Sequence, residues 1–280
     1  MSNSKLDYEN KIKELRNNDN LNYSKKIWDG LITEPVKKQY KISLCTTCMG
    51  RAFDLKKSLT KNIEDNSDYP NTEFVILDYN GKDDLGQWIK DSMMDHIDSG
   101  KLVYYRTETP KFYSMTKSRN LAFKLATGDI VNNVDADNYT HKGFVSYINV
   151  LANQFPEKAI FSKGKNLIRG RLGFWKSEFM EVLKGYDERI EDYGRDDHDL
   201  MNRAWIAGFT LIQYGGDYYS NTGSKKHQTE NMKTKDWKLT ELRNEVQMLE
   251  GMVSGKINGN ETEWGQDTLI KNFKEEVVLV

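Results

Sequence analysis

A chain of 280 residues with 41 lysines and arginines against 42 aspartates and glutamates carries a net charge of −1, which excludes a broad electrostatic attraction to nucleic acid. A charged fraction of 30% beside a hydrophobic fraction of 38% describes a soluble globular protein with a core sufficient for one large domain. No apolar run approaches a membrane span and the N-terminus is too polar for a signal peptide, so a cytoplasmic location is expected.

Residues 1–39 are charged and asparagine-rich, with a helix expected over Tyr8 to Arg16 and a break at Pro35. They read as an N-terminal helical extension packed on the outside. From Lys41 the pattern changes. "KISLCTT" is a predicted strand, and "RAFDLKKSLTKNIED" an amphipathic helix with Phe53, Leu55, Leu59 and Ile63 on or near one face. "TEFVILD" has the short, apolar, β-rich character of a strand buried on both faces. A helix over "DLGQWIKDSMMDHI" and a strand over "KLVYYRT" follow. "SMTKSRNLAFKLA" is a helix stopped near the glycine of "TGD", and "DIVNNV" the next strand.

The second half is less regular. "KAIFSKGKNLIRGRLGFWKSEFMEVL" predicts strand segments followed by a helix, and "DDHDLMNRAWIAGF" a helix with acids in its first turn, where the dipole favours them. "TLIQY" is a short strand, residues 215–235 a loop rich in Gly, Ser, Thr and Lys, and "DWKLTELRNEVQMLEGMV" a helix. The closing "NFKEEVVLV" reads as an edge strand or an exposed apolar tail. The expected division is therefore a central domain over 40–230 with a helical C-terminal tail, 231–280, packed on it.

Strands alternating with helices imply an open α/β fold with a mostly parallel central sheet flanked by helices. Ligands in such sheets bind beyond the carboxyl ends of the strands. That rule gathers Thr46, Thr47 and Arg51; Asp78; Arg106; and Asp135 with Asp137 into one cleft. Two carboxylates one residue apart repel each other unless a cation or a set of donors sits between them. Asp135 and Asp137 therefore mark either a metal site or an ordinary acidic turn. Cys45 and Cys48 have no second pair to complete a zinc site. They read as reduced thiols at a strand end.

Two motifs resemble a known family. "KSRNLAFKLATGDIVNNVDADN" is similar to the stretch of GT-A glycosyltransferases, particularly glycosyltransferase family 2, that ends in a DxD motif. "GYDERIEDYGRDDHDLMNRAWIAGF" resembles their acceptor-side segment, close versions of which occur in β-1,4-galactosyltransferases and bacterial chondroitin-type polymerases. The likeness spans roughly Lys41 to His227. Arg195 stands where related transferases usually carry glycine.

The resemblance implies a GT-A, Rossmann-like fold and a metal-dependent, inverting transfer of sugar from a nucleotide sugar, UDP being the expected nucleotide, to a hydroxyl. The acceptor is a glycan, a lipid-linked sugar or a protein side chain. It makes Asp137 the direct ligand of Mn2+ or Mg2+, with Asp135 on the donor ribose or reaching the metal through water, and His227 a third ligand from a downstream loop. Asp197 is the implied general base and Asp196 the group that holds the acceptor. Thr46, Arg51, Asp78 and Arg119 are expected at the donor, Arg119 against the diphosphate. Trp175 is expected to stack on an acceptor sugar. A non-catalytic binding protein would have lost Asp197 or the DxD acids, and a nucleotidyltransferase would carry a glycine-rich phosphate loop after the first strand.

Overall fold

Ser4 opens the first helix, α1 (Lys5–Arg16), by a reciprocal cap in which its hydroxyl accepts from the Asp7 amide and the Asp7 carboxylate accepts from the Ser4 amide. This cap satisfies two end donors and starts a helix of mostly charged residues. The structure is a computed structural model and describes residues 4–163, 171–215, 217–223, 229–274 and 277–279. A strand absent from the sequence reading, β1 (Lys26–Trp28), follows in the N-terminal segment. Its three residues are too few to show an alternation.

Next, β2 (Ile42–Cys48) and β3 (Thr72–Tyr79) are buried along their whole lengths. Between them α2 (Ala52–Asp65) buries Leu55, Leu59 and Ile63, while Phe53 faces outward at 43% exposure. The single helix expected over 84–97 is broken at Met93 into α3 (Leu85–Ser92) and α4 (Met94–Asp98), the Met93 amide closing the first by donating to the Ile89 carbonyl. After β4 (Leu102–Thr107) comes α5 (Met115–Leu125), capped by the Ser114 hydroxyl, and then β5 (Ile130–Asn133).

The remaining elements are β6 (Asn138–Tyr139), α6 (Phe144–Gln154), β7 (Ala159–Lys163), β8 (Leu172–Trp175), α7 (Lys176–Glu181), α8 (Asp196–Ile206), β9 (Thr210–Tyr214), β10 (Ser220–Asn221), α9 (Trp237–Val253), β11 (Thr268–Lys271) and β12 (Val277–Leu279). Among the described residues the central sheet has the order β1-β9-β7-β8-β5-β2-β3-β4-β11-β12, with β8 and β11 running against the others. The predicted mostly parallel α/β architecture is thus present. Both terminal segments also supply strands to its edges, and the closing apolar residues form an edge strand rather than a free tail.

Two apolar layers sandwich the sheet. Leu55, Leu59, Ile63, Ile89 and Ile148 pack on one face, and Leu121, Phe123, Phe179, Leu200 and Ala204 on the other. A third cluster joins Ile12 and Leu15 of α1 to Met248, Leu249 and Met252 of α9. Register then sets the functional edge. Cys48 lies opposite Asp78, Asp78 opposite Arg106, and Cys45 opposite Asn133. Asp135 and Asp137 follow at that same end. Cys45 and Cys48 are free thiols, both buried, and burial pushes both thiol pKa values well up.

Candidate active site

The acidic turn is built from β5 outward. The Asn133 side-chain amide donates to Asp135 Oδ1 at 2.9 Å, and that of Asn138 to Asp137 Oδ1 at 2.8 Å. The Asn138 backbone amide closes the turn on the Asp135 carbonyl at 2.9 Å. The Thr222 amide, just after β10, donates to the Asp137 carbonyl at 2.8 Å. Arg51, at the start of α2, donates to Asp137 Oδ2 at 3.1 Å and to Asp54 at 2.7 Å. Asp54 also accepts from the Thr222 hydroxyl at 2.6 Å. The side chains of Asp135 and Asp137 remain 38% and 25% exposed, open to a ligand.

Arg119 of α5 connects this turn to the first turn of α8. Its guanidinium donates to Asp196, to Asp197 Oδ1 at 3.1 Å and, at the limit of contact, to Asp135 Oδ1 at 3.5 Å. The Tyr186 hydroxyl donates to Asp197 Oδ1 at 3.4 Å, and the Arg119 cation lies 5.5 Å from the centre of the Tyr186 ring. Burial, and then the neighbouring Asp197 carboxylate, push the Asp196 pKa up to about 7. Asp54, Asp135, Asp137, Asp196 and Asp197 thus share two guanidiniums, Arg51 and Arg119. A site with that excess of negative charge favours a cation.

Other predicted residues are placed differently from expectation. Asp78 is buried at the end of β3, accepting from the Tyr104 hydroxyl at 2.8 Å, the Gly81 amide at 2.8 Å and Arg106. Burial raises its pKa despite these partners. It holds Arg106 and does not itself face the cleft. Thr46 is buried within β2, and the neighbouring Thr47 hydroxyl lies 2.7 Å from that of Tyr113. Arg119 is turned inward among carboxylates, not outward toward a diphosphate, because three acids surround it and only 4% of its side chain is exposed.

The expectation for Trp175 is corrected. Trp175 lies opposite Ile130, at the amino end of β5 and therefore at the far edge of the sheet from the carboxylates. Its indole donates to the Phe155 carbonyl at 2.9 Å and its ring meets Tyr40 edge-on at 4.8 Å, so it is a core residue. The reason is the reversed direction of β8, which periodicity does not reveal. His227 lies outside the described residues, as do Lys225 and Lys226. Tyr186, Asp54 and Asn133 join the site without having been singled out. Asp54 and Asn133 bond to near neighbours, Arg51 and Asp135, and only the "GYDE" context of Tyr186 offered a signal.

For a metal, the donor set fits in part. Asp135 and Asp137 offer hard oxygen ligands of the kind Mg2+ and Mn2+ take. Among the described residues no group of three or more His, Cys, Asp or Glu side chains could hold an ion. Such an ion would therefore need further ligands from a bound phosphate group, from water or from residues beyond those described.

An open, mostly parallel sheet with acidic residues at the carboxyl edge of a central strand is a GT-A-like arrangement, and solved structures share the fold. TarS from S. aureus (residues 1–349) in complex with UDP superposes with a TM-score of 0.53 at 15% identity, covering 64% of this chain and 59% of that one. The same fragment with UDP-GlcNAc gives 0.56 at 14% identity over 77% and 72%. The mannosyltransferase PcManGT from Pyrobaculum calidifontis, with GDP-Man and Mn2+, gives 0.58 at 21% identity over 79% and 65%. The chain thus spans less than two thirds of the length of several of these proteins, and no curated protein matches its sequence. Residues 43–191 match the family model described as glycosyl transferase family 2. The chain belongs to glycosyl transferase family 2. The match contains the DxD turn and ends just before Asp196 and Asp197.

Proposed function

We propose that this family member transfers a sugar, with inversion, from a UDP-sugar to a hydroxyl acceptor, and that Asp197 is the general base. The observation that carries this reading is Arg119, which touches the donor-side acid Asp135 and both acids of α8. Inversion requires a base on the sugar face opposite the departing diphosphate. In this reading Asp197 takes the proton of the attacking hydroxyl. Arg119 and Tyr186 hold the orientation of its carboxylate, and Asp196 holds the acceptor. Asp78 serves the donor through Arg106, which it fixes at the strand end. The acceptor-side kinship to β-1,4-galactosyltransferases and chondroitin-type polymerases belongs to this proposal, as does the acceptor class of glycan, lipid-linked sugar or protein.

Mn2+ or Mg2+, when bound, supplies neutralising charge to the leaving diphosphate. Asp137 would hold it directly and Asp135 through water or from the side. His227 is retained as a third ligand on the strength of its flanks. Thr222 is bonded to the Asp137 backbone, and the Asn231 side chain donates to the Met49 carbonyl at 2.6 Å, at the same sheet edge. The location in the cell remains proposed as cytoplasmic; no helix among the described residues is long and apolar enough to cross a membrane.

The test is a panel of nucleotide sugars incubated with the purified protein and Mn2+, reading release of free nucleotide with and without EDTA. Slow hydrolysis of one donor, abolished by EDTA, is the expected result. Binding of a nucleotide sugar without turnover, in the presence of glycan and lipid-linked acceptors, would overturn the catalytic reading.

A further inference from the structure

Immediately before the acids of α8 the backbone takes left-handed conformations in quick succession. Asp192 has φ 61°, Gly194 φ 101° and Arg195 φ 71°. Two of these residues carry side chains, and such conformations persist only where the surroundings over-determine them. Here the surroundings are α9. The fully buried Asn244 side chain donates to the carbonyls of Glu191 and Gly194, each at 2.9 Å, with a longer contact to Tyr193 at 3.4 Å. One turn earlier on α9, the buried Thr240 hydroxyl donates to the Tyr193 carbonyl at 3.0 Å. Arg243 donates to the Glu191 carbonyl at 2.6 Å.

Charge closes the same turn. Arg195 pairs with Glu245 at 2.7 Å and with Glu241 at 3.3 Å, both on α9. Arg16 of α1 pairs with the same Glu245 carboxylate, whose side chain is only 5% exposed. The contacts from α9 converge on residues 191–195, and that helix lies outside the segment matched by the family model. A buried amide donating to two carbonyls has no substitute in water, so its loss leaves both carbonyls unpaired.

We propose that α9 is a clamp, with Asn244 as its positioning residue, that holds the left-handed turn 191–195 and thereby sets the Asp196–Asp197 pair for catalysis. The proposal rests on the reading of Asp197 as the base. Asn244→Asp keeps the size of the side chain but replaces the donor with an acceptor-only group.

Hydrogen exchange of the full chain tests the clamp without requiring activity. In Asn244→Asp, amides of peptides covering 191–199 should exchange roughly tenfold faster, while those of β2 keep the wild-type rate. Thr240→Val, which removes a single hydroxyl, should move exchange in the same direction by less and serves if Asn244→Asp does not fold. Unchanged exchange over 191–199, or faster exchange everywhere alike, would overturn the clamp. Nucleotide release from UDP-GlcNAc or GDP-mannose with Mn2+ then tests positioning. We expect kcat to fall roughly tenfold with the donor KM nearly unchanged. Local loosening with normal kcat would overturn the positioning role. A wild-type protein inactive on every donor would instead defeat the glycosyl-transfer reading, with the exchange result still deciding the clamp.

Discussion

Asp197 and Asp196 are adjacent in sequence and share Arg119, yet different outcomes are expected when each is neutralised. Asp197→Asn retains the side-chain shape and the DxD turn, so donor binding should persist while transfer falls at least about a hundredfold, the scale of general-base catalysis. Calorimetry with the donor nucleotide and a turnover assay together check this, and near-normal turnover would remove the base assignment. The Asp196 pKa is raised in the fold from 3.8 to about 7, first by burial and then by Asp197. The folded state therefore binds that proton more tightly than the unfolded chain does. The resulting stability is fully present below about pH 4 and is lost as pH rises through about 7. Asp196→Asn should accordingly lose less stability than wild type between about pH 5 and pH 8. Denaturant midpoints at the two pH values measure it, and parallel declines would contradict the linkage. At this scale the sequence singled out Asp135, Asp196 and Asp197, which the fold brings together around Arg119. It misjudged Arg119, because a lone arginine on a helix face does not disclose that three carboxylates will fold around it.

The elements show where pattern reading succeeds. A run such as "TEFVILD" needs only its own composition to become a buried strand, and Leu55, Leu59 and Ile63 need only their spacing to cover one sheet face. The strand β8 is different, because its direction depends on partners on either side. Gly173 shows how tightly it fits: a Cβ there would collide with the Asn132 side-chain oxygen and approach Phe161 Cβ at 3.4 Å. Gly173→Ala should therefore destabilise the protein by about 1–3 kcal/mol through overpacking between β5 and β8. Thermal or urea unfolding would register it, and an unchanged midpoint would mean that the two strands separate easily. The split at Met93 and the strand β1 were illegible for a related reason. Short segments carry little periodic signal, and their form is set by what they meet.

Across the whole molecule, the sheet delivers carboxylates from β5 and α8 to one edge with two guanidiniums to balance them. Mn2+ with UDP should therefore raise the unfolding midpoint, and the gain grows with ligand as mass action requires, about 2.7 kcal/mol at a hundredfold excess over Kd. Asp137→Ala should abolish the Mn2+-dependent part of that shift. A shift of the same size in the variant would move the ion elsewhere. The amino-acid sequence by itself determined the alternation of strands and helices and the mostly parallel sheet, because each depends on local composition, periodicity or spacing. Tertiary structure decided that Arg119 faces carboxylates, that Asp78 is buried beneath Arg106, that Trp175 lies at the opposite edge and that α9 grips the turn before Asp196. Each of these depends on strand direction and on contacts between residues far apart in the chain, where burial and charge pairing are settled only once the layers have packed.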